Sequence, residues 1–401
     1  MNQAFPAAVC PGLAQGRLEW LRAMGHDFFE GKREGAWVWD TADRRYLDCV
    51  CGAGTYNLGR RPPELIEALR AAMRETDQGN FPMISVEKSR LAEALATFVP
   101  GPLECAVYSV MRGEAMEFAC KAARGHTGRA ELVTVDGGWY GHTGFALTLS
   151  DRADKQRFGP LVPEVRTVPF GDSDAIEAAI TPKTAAFIFE PVQVENHCRA
   201  VSPEYALAIE RACRKTGALL VADETQTNFG RTGARFAYGA LGISPDILVL
   251  GEALGGGVFP IAATLLTQEV NRFMNAHPMI HLSTFGGSDI GCRVGLKTLE
   301  AYARLEPWRN AAAMGARLLD ALRGIAARPG APFRDAAGTG LALSLDCGTE
   351  ESAREFCRRA ASNGLLVLPG AVARHAVVLR PSLLLTADEA DAIVAAVQAC
   401  L

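Results

Sequence analysis

The strongest constraint on the fold is a regular alternation of short apolar segments with longer helical patterns. Four short apolar runs occupy residues 131–136, 185–190, 218–223 and 246–251, and each ends where polar residues or glycines begin. Strands that alternate with helices favour an α/β architecture with a largely parallel sheet. Open α/β sheets bind ligands at the carboxyl ends of such strands. We therefore predict a ligand site where these four runs end.

The segments on either side of this central block have different patterns. The predicted elements are a hairpin over 34–50, helices over 63–76, 86–98, 290–304 and 308–327, and strands near 341–346, 365–368 and 376–379. We predict that residues 1–60 contribute to a small domain, that 61–288 form a large ligand-binding domain, and that 289–401 form the rest of a small α+β domain.

Composition excludes several classes of function. The 401 residues are 49% hydrophobic, enough for a large core, and the formal net charge of -4 comes from interspersed acids and bases. This surface is not that of a protein that binds nucleic acid or anionic membranes. No run approaches the roughly 20 apolar residues of a membrane helix. Eleven cysteines without CxxC pairs or metal-like clusters predict a cytoplasmic protein without a metal site.

The longest motif lies at residues 219–233, Leu-Leu-Val-Ala-Asp-Glu-Thr-Gln-Thr-Asn-Phe-Gly-Arg-Thr-Gly. It resembles the Asp-Glu-x-Gln-x-x-Phe-Gly-Arg-Thr-Gly signature of class III aminotransferases at every fixed position. The resemblance covers about residues 34–395. It implies the α/β fold type I of pyridoxal-phosphate transferases, with a mostly parallel seven-stranded central sheet in a large domain and a smaller α+β domain.

Three residues match the part of the family site that binds the pyridine ring. In that family, an aspartate at the strand end pairs with the pyridinium nitrogen and makes the ring an electron sink. Asp223 matches this aspartate, and Gln226 matches the residue near the ring hydroxyl. Trp139 matches the aromatic residue that stacks on the ring. Without the resemblance, Asp223 reads as a helix N-cap or surface carboxylate, and Trp139 as a core residue.

The predicted phosphate site departs from the family pattern. Residues 107–124 align with a segment Ser-Gly-(Thr/Gly/Ala)-Glu-Ala-x-Glu, whose helix start holds the phosphate through free N–H groups and the helix dipole. Here Met111 and Arg112 replace Ser-Gly, and Gly113 follows. Arg112 either restores the grip on phosphate through its guanidinium or blocks the site. We favour the first interpretation.

Two further matches concern the neighbouring subunit and the substrate. Thr284 matches the threonine that reaches the phosphate from the partner, which implies a homodimer with shared active sites. Arg380 lies two positions after the place of an arginine that often binds a substrate carboxylate, where this chain has Val378. Residues two apart on a strand face the same side. Arg380 is therefore either a substrate-binding residue or a plain surface arginine.

The residue that most affects the expected mechanism is Glu252. The run 245–260 resembles the family segment that carries the lysine bonded to the cofactor, and Glu252 stands at that position. The lysine holds the cofactor covalently and later moves a proton. A glutamate is capable of only the second task. The nearest lysines in sequence, Lys215 and Lys297, lie at no equivalent strand end.

Three hypotheses follow. The first is an aminotransferase-like enzyme that acts on an amine or amino-acid-type small molecule, holds pyridoxal or pyridoxamine phosphate noncovalently and uses Glu252 as acid/base. The second is a cleft adapted to different, possibly cofactor-independent chemistry, and the third is a noncatalytic binding subunit. The matches at Asp223, Gln226, Trp139 and Thr284 favour the first hypothesis, which we adopt. The change at Met111 and Arg112 favours the other two.

Overall fold

A seven-stranded sheet forms the centre of the computed structural model, which describes residues 15–401. Its strands lie in the spatial order Leu103–Ser109, Ala262–Thr267, Ile247–Leu250, Leu219–Asp223, Thr184–Phe189, Glu131–Val135 and Val165–Val168. Ala262–Thr267 runs antiparallel to both neighbours, and the remaining neighbouring pairs are parallel. The predicted α/β fold with a mostly parallel seven-stranded sheet is confirmed.

Helices cover this sheet, which explains the apolar runs in the sequence. Every residue of Thr184–Phe189, Leu219–Asp223 and Ile247–Leu250 is buried, as expected for parallel strands covered on both faces. The helices of this part are Pro63–Glu75, Val86–Phe98, Arg112–Thr127, Gly144–Leu149, Ser173–Ala179, Pro203–Thr216, Ala237–Ala240, Gln268–Ala276 and Asp289–Leu305. Side-chain oxygens of Ser85 and Ser202 cap two of them.

Two smaller sheets contain the remaining long strands. The first joins Glu30–Glu34, Trp37–Asp40 and Arg45–Asp48 to Leu365–Leu366, and the second contains Asp335–Thr339, Ala342–Asp346, Ala376–Leu379 and Leu368–Pro369. Val192–Gln193 pairs with Arg199–Ala200. The accompanying helices are Gln15–Ala23, Pro307–Ala326, Glu350–Ser362 and Ala387–Gln398. The N-terminal strands thus pair with a C-terminal strand; the domain boundaries at 60 and 288 stay a prediction.

The predicted hairpin is confirmed, because Trp37–Asp40 and Arg45–Asp48 pair antiparallel. The prediction of a single strand near 365–368 is wrong, because the structure has two short strands there. Leu365–Leu366 pairs with Arg45–Asp48, whereas Leu368–Pro369 pairs with Ala376–Leu379. The chain therefore crosses from one sheet to the other at Val367. Among residues 15–401, no helix has the length and apolar character needed to cross a membrane.

Candidate active site

Glu252 lies at the carboxyl end of the central sheet. The strand Ile247–Leu250 ends two residues earlier, and Glu252 begins a short 3₁₀ turn, Glu252–Gly255. Gly256 follows with φ +58, and a Cβ there would lie 2.2 Å from Leu65 Cδ1. Only glycine fits such a position without strain. The glycine-rich run therefore lets this turn pack tightly and fixes the place of Glu252.

A cavity of about 430 Å³ lies beside this turn. The predicted residues that line it are Glu252, Gln226, Trp139, Arg112 and Gly113. None of its lining residues is a lysine. Asp223 lies behind Arg112 with its side chain fully buried. A larger groove of about 830 Å³ lies between the first hairpin and the helix Pro63–Glu75, and it contains none of the predicted site residues.

The guanidinium of Arg112 lies inside the cleft. Its Nη2 donates to Asp223 Oδ2 at 3.1 Å and to the backbone carbonyl of Trp139, and it lies 3.6 Å from Glu190 Oε1. Burial alone would lower the pKa of Arg112, but Asp223, Glu190 and Glu252 together raise it above its usual value. The charge of Arg112 is therefore permanent and compensates a buried acidic cluster.

The carboxylate of Glu252 lies at the start of the helix Arg112–Thr127. Glu252 Oε1 accepts the backbone N–H of Arg112 at 3.0 Å. The N-cap residue Met111 provides no side-chain cap, so Glu252 supplies an acceptor for one of the free N–H groups of the first turn. Gly113 is packed beneath Thr143, whose Cγ2 would lie 3.0 Å from an added Cβ. A carboxylate thus occupies the helix start that was predicted to hold a phosphate.

Glu190 is a site residue that was not predicted from the sequence. It follows the buried strand Thr184–Phe189, as Asp223 ends the neighbouring strand, and its Oε2 accepts the N–H of Trp139 at 2.7 Å. Burial raises the pKa of Glu190 well above its usual value, and the nearby Asp223 adds to the effect. The sequence did indicate Glu190, because it is a carboxylate at the end of a buried apolar run, which is the same pattern that indicated Asp223.

Arg380 lies behind the cleft and contacts Gln226, which lines it. Arg380 is 4% exposed, so the interpretation as a surface arginine is wrong. Its Nη1 donates to Gln226 Oε1 and to Glu195 Oε1, both at 2.5 Å. Burial would raise the pKa of Glu195, but Arg380 and the N–H of Ala371 lower it below its usual value. The Nε2 of Gln226 has no hydrogen-bond partner among residues 15–401.

Trp139 forms part of the cleft wall together with His142. The two rings meet edge to face, with centroids 4.8 Å apart, and the guanidinium of Arg152 lies 5.2 Å from the Trp139 ring centroid. Burial, helped by Arg152 and Arg112, lowers the pKa of His142. The imidazole beside Trp139 is therefore neutral at pH 7.

Thr284 does not line the cleft of its own chain. It is exposed in a segment where Met279, Ile280, Leu282 and Phe285 are also exposed. The structure thus brings Glu252, Asp223, Gln226, Trp139, Arg112 and Gly113 together but leaves Thr284 apart. In the part of the chain that the structure describes, no group of three His, Cys, Asp or Glu side chains is arranged to hold a metal ion.

The sequence model of the family "Aminotransferase class-III" matches residues 22–401. The chain belongs to the class III aminotransferases. It is 39% identical over 320 residues to an uncharacterized aminotransferase of Archaeoglobus fulgidus, a match that covers 80% of this chain and 74% of the relative. It is also 34% identical over 379 residues to an ornithine aminotransferase of Exiguobacterium, covering 92% and 91% of the two chains.

Solved structures of this family have the same fold. The ornithine aminotransferase of Toxoplasma gondii, crystallized in the presence of oxidized glutathione, superimposes with a TM-score of 0.88 at 25% identity, over 98% of this chain and 92% of that one. That structure has partial occupancy of pyridoxal phosphate at its active site. The prediction of a fold type I aminotransferase architecture is confirmed.

Proposed function

We propose that this protein is an aminotransferase-like enzyme that holds pyridoxal or pyridoxamine phosphate noncovalently and acts on an amine or amino-acid-type small molecule. One observation carries the proposal. The acid Glu252 lines the same cleft as Gln226 and Trp139, with Asp223 directly behind Arg112, and none of the described residues that line the cleft is a lysine. The family membership supports an enzyme of this class.

The residues of the cleft suit a phosphate-bearing aromatic ring once Arg112 releases Asp223. Asp223 would face the ring nitrogen, Trp139 would cover the ring, and the unpartnered Nε2 of Gln226 would meet the ring hydroxyl. The helix start at Arg112 and Gly113 would hold the phosphate. When bound, the group supplies an electron-withdrawing ring that stabilises charge at the carbon bearing the amino group.

Glu252 is the acid/base of the proposed reaction. Its Oε1 accepts the N–H of Arg112, and a phosphate at the helix start would take this N–H and release the carboxyl group toward the substrate. Among residues 15–401, no group donates a hydrogen bond to its Oε2. The Oε2 atom is therefore available to take a proton from the substrate carbon and return it. Arg380 lies one layer behind Gln226 and would meet a substrate carboxylate only after leaving Glu195.

We also propose a homodimer in the cytoplasm. Thr284 and the exposed apolar side chains of the same segment, Met279, Ile280, Leu282 and Phe285, support an interface that brings Thr284 to the partner's cleft. The cysteines among residues 15–401 are free thiols, as is usual in a reducing compartment.

A specific contact favours the second candidate function, a cleft adapted to another ligand. The ion pair of Arg112 with Asp223 uses the carboxylate that a pyridine ring needs. Such a cleft would bind neither pyridoxal nor pyridoxamine phosphate. A noncatalytic binding subunit would tolerate Asp223→Ala without loss of its biological role, whereas either enzyme would not.

Titration of the purified protein with pyridoxal phosphate and pyridoxamine phosphate, followed by absorbance, tests the proposal. We expect a saturable change that dialysis reverses. Ornithine, for which two of the relatives are named, is the first amino donor to assay. With an accepted donor, Glu252→Gln should lower turnover by about 10²–10⁴-fold while cofactor binding is kept or strengthened. The exposed Glu177→Gln serves as control.

The absence of any saturable change with either form of the cofactor would refute the proposed function. Full turnover in Glu252→Gln, with cofactor bound, would refute only the role of Glu252.

A further inference from the structure

The cleft already contains two charges of its own at the places where the cofactor's charged groups would bind. This inference rests on the proposed function. A pyridoxal phosphate needs an anion beside its ring nitrogen and an anion-binding helix start for its phosphate. Arg112, a cation, occupies the first place, and Glu252, an anion, occupies the second.

The contact at Asp223 excludes the ring nitrogen directly. Asp223 Oδ1 accepts the N–H of Thr225 at 2.8 Å, and Asp223 Oδ2 accepts from Arg112 Nη2 at 3.1 Å. Both carboxylate oxygens are therefore engaged. A ring nitrogen that approaches Asp223 has to replace the guanidinium.

The contact at the helix start excludes the phosphate in the same way. The helix Arg112–Thr127 has 16 residues, and Glu252 Oε1 accepts its first N–H at 3.0 Å. A phosphate dianion at this position would meet the negative charge of Glu252 at short range. Glu252 has to turn away before the phosphate binds.

Both contacts involve one residue, because Arg112 provides the backbone N–H to Glu252 and the guanidinium to Asp223. This arrangement leaves several buried donors without partners among the described residues 15–401: Arg112 Nε, Gln226 Nε2 and Thr225 Oγ1. Gln226 is 4% exposed and lines the cleft. Unmade hydrogen bonds at buried donors cost free energy, and a ligand in the cleft would recover part of it.

We propose that Arg112 and Glu252 form an internal substitute for the cofactor, and that pyridoxal or pyridoxamine phosphate binds only by displacing both side chains. The cleft then has two exclusive states. In one, Arg112 pairs with Asp223 and Glu252 caps the helix. In the other, the ring pairs with Asp223 and the phosphate caps the helix. Arg112 thus limits cofactor affinity instead of providing it.

Equilibrium titration of Arg112→Ala with pyridoxal phosphate tests this proposal through a binding constant and requires no turnover. The variant keeps the backbone N–H and removes the competing cation. We expect binding about tenfold tighter or more than in the unchanged protein, since a charged hydrogen bond no longer has to be broken. Arg124→Ala, near the other end of the same helix, is the matched control and should bind as the unchanged protein does.

Weaker binding in Arg112→Ala would overturn the proposal and show that Arg112 grips the phosphate. Equal affinity would overturn it as well. If neither protein binds the cofactor, the proposed function itself fails, which is a different result. Binding by Arg112→Ala alone would support the competition by Arg112 but refute the proposed function of the unchanged protein.

A second variant covers the case in which Arg112→Ala does not fold. Glu252→Ala removes the anion at the helix start and leaves the Arg112 pair with Asp223 intact. With inorganic phosphate as the probe, we expect about tenfold tighter binding than in the unchanged protein. Unchanged or weaker phosphate binding would overturn the proposed competition at the helix start.

Discussion

Glu224 offers a quantitative test of the electrostatics beneath the candidate site. It follows Asp223 at the start of the turn that presents Gln226, and it is fully buried. Its Oε1 accepts the N–H of Tyr238 at 2.7 Å and its Oε2 accepts the hydroxyl of Thr227 at 2.9 Å. Burial raises the pKa of Glu224 from 4.5 to about 7, although these hydrogen bonds oppose the change.

The raised pKa means that the folded protein holds this proton more tightly than the unfolded chain does. Stability from Glu224 is therefore fully present below pH 4.5 and is lost as the pH rises through about 7. A change of pKa from 4.5 to about 7 corresponds to ~3 kcal/mol at higher pH. In Glu224→Gln the side chain stays neutral, so this loss disappears.

We expect Glu224→Gln to match the unchanged protein near pH 4.5 and to exceed its free energy of unfolding by ~3 kcal/mol at roughly pH 8. Urea unfolding at several pH values, with both proteins under the same conditions, measures the difference. The exposed Glu177→Gln is the control and should show no such pH dependence. A difference that is constant with pH, or a less stable variant at pH 8, would contradict a raised pKa of Glu224 in the folded protein.

Two further predictions concern the packing around the cleft. Arg380→Ala leaves Glu195 buried without its cation and should lower the free energy of unfolding, measured with urea, by ~3–5 kcal/mol. Adding Glu195→Ala should restore part of this loss, and a loss below ~1 kcal/mol in the single variant would contradict the prediction. Gly257 has φ +71, and Gly257→Ala places a Cβ 2.4 Å from Tyr56 Cδ1. This variant should have a clearly lower melting temperature than Gly171→Ala, whose glycine also has a positive φ but has no atom within 4 Å of the added Cβ. Equal melting temperatures of the two variants would contradict the prediction.

The sequence predicted the central strands because burial on both faces leaves a continuous apolar run. Three strands of the same sheet left no such signal. Val165–Val168 is an edge strand with two exposed residues, and Leu103–Ser109 is mostly half-buried. Ala262–Thr267 is mostly buried, but its sequence Ala-Ala-Thr-Leu-Leu-Thr is as compatible with a helix as with a strand. The count of seven strands came from the family resemblance and not from these patterns.

The site was predictable in its backbone but not in its side-chain contacts. Asp223 ends one strand and Glu252 lies two residues beyond the end of its parallel neighbour, so both are placed at the same edge of the sheet. The direction of the Arg112 side chain depends on Asp223, 111 residues away, and on Glu190. Likewise, the burial of Arg380 depends on Glu195, 185 residues away. No local pattern encodes such contacts.

The pairing of Arg45–Asp48 with Leu365–Leu366 has a consequence for synthesis of the chain. At ~5–20 residues per second, the ribosome needs roughly 15–60 s to make the intervening segment. Throughout that time the outer edge of the N-terminal hairpin has free backbone N–H and C=O groups. The nascent chain therefore presents an open strand edge until Leu365 and Leu366 are available to pair with it.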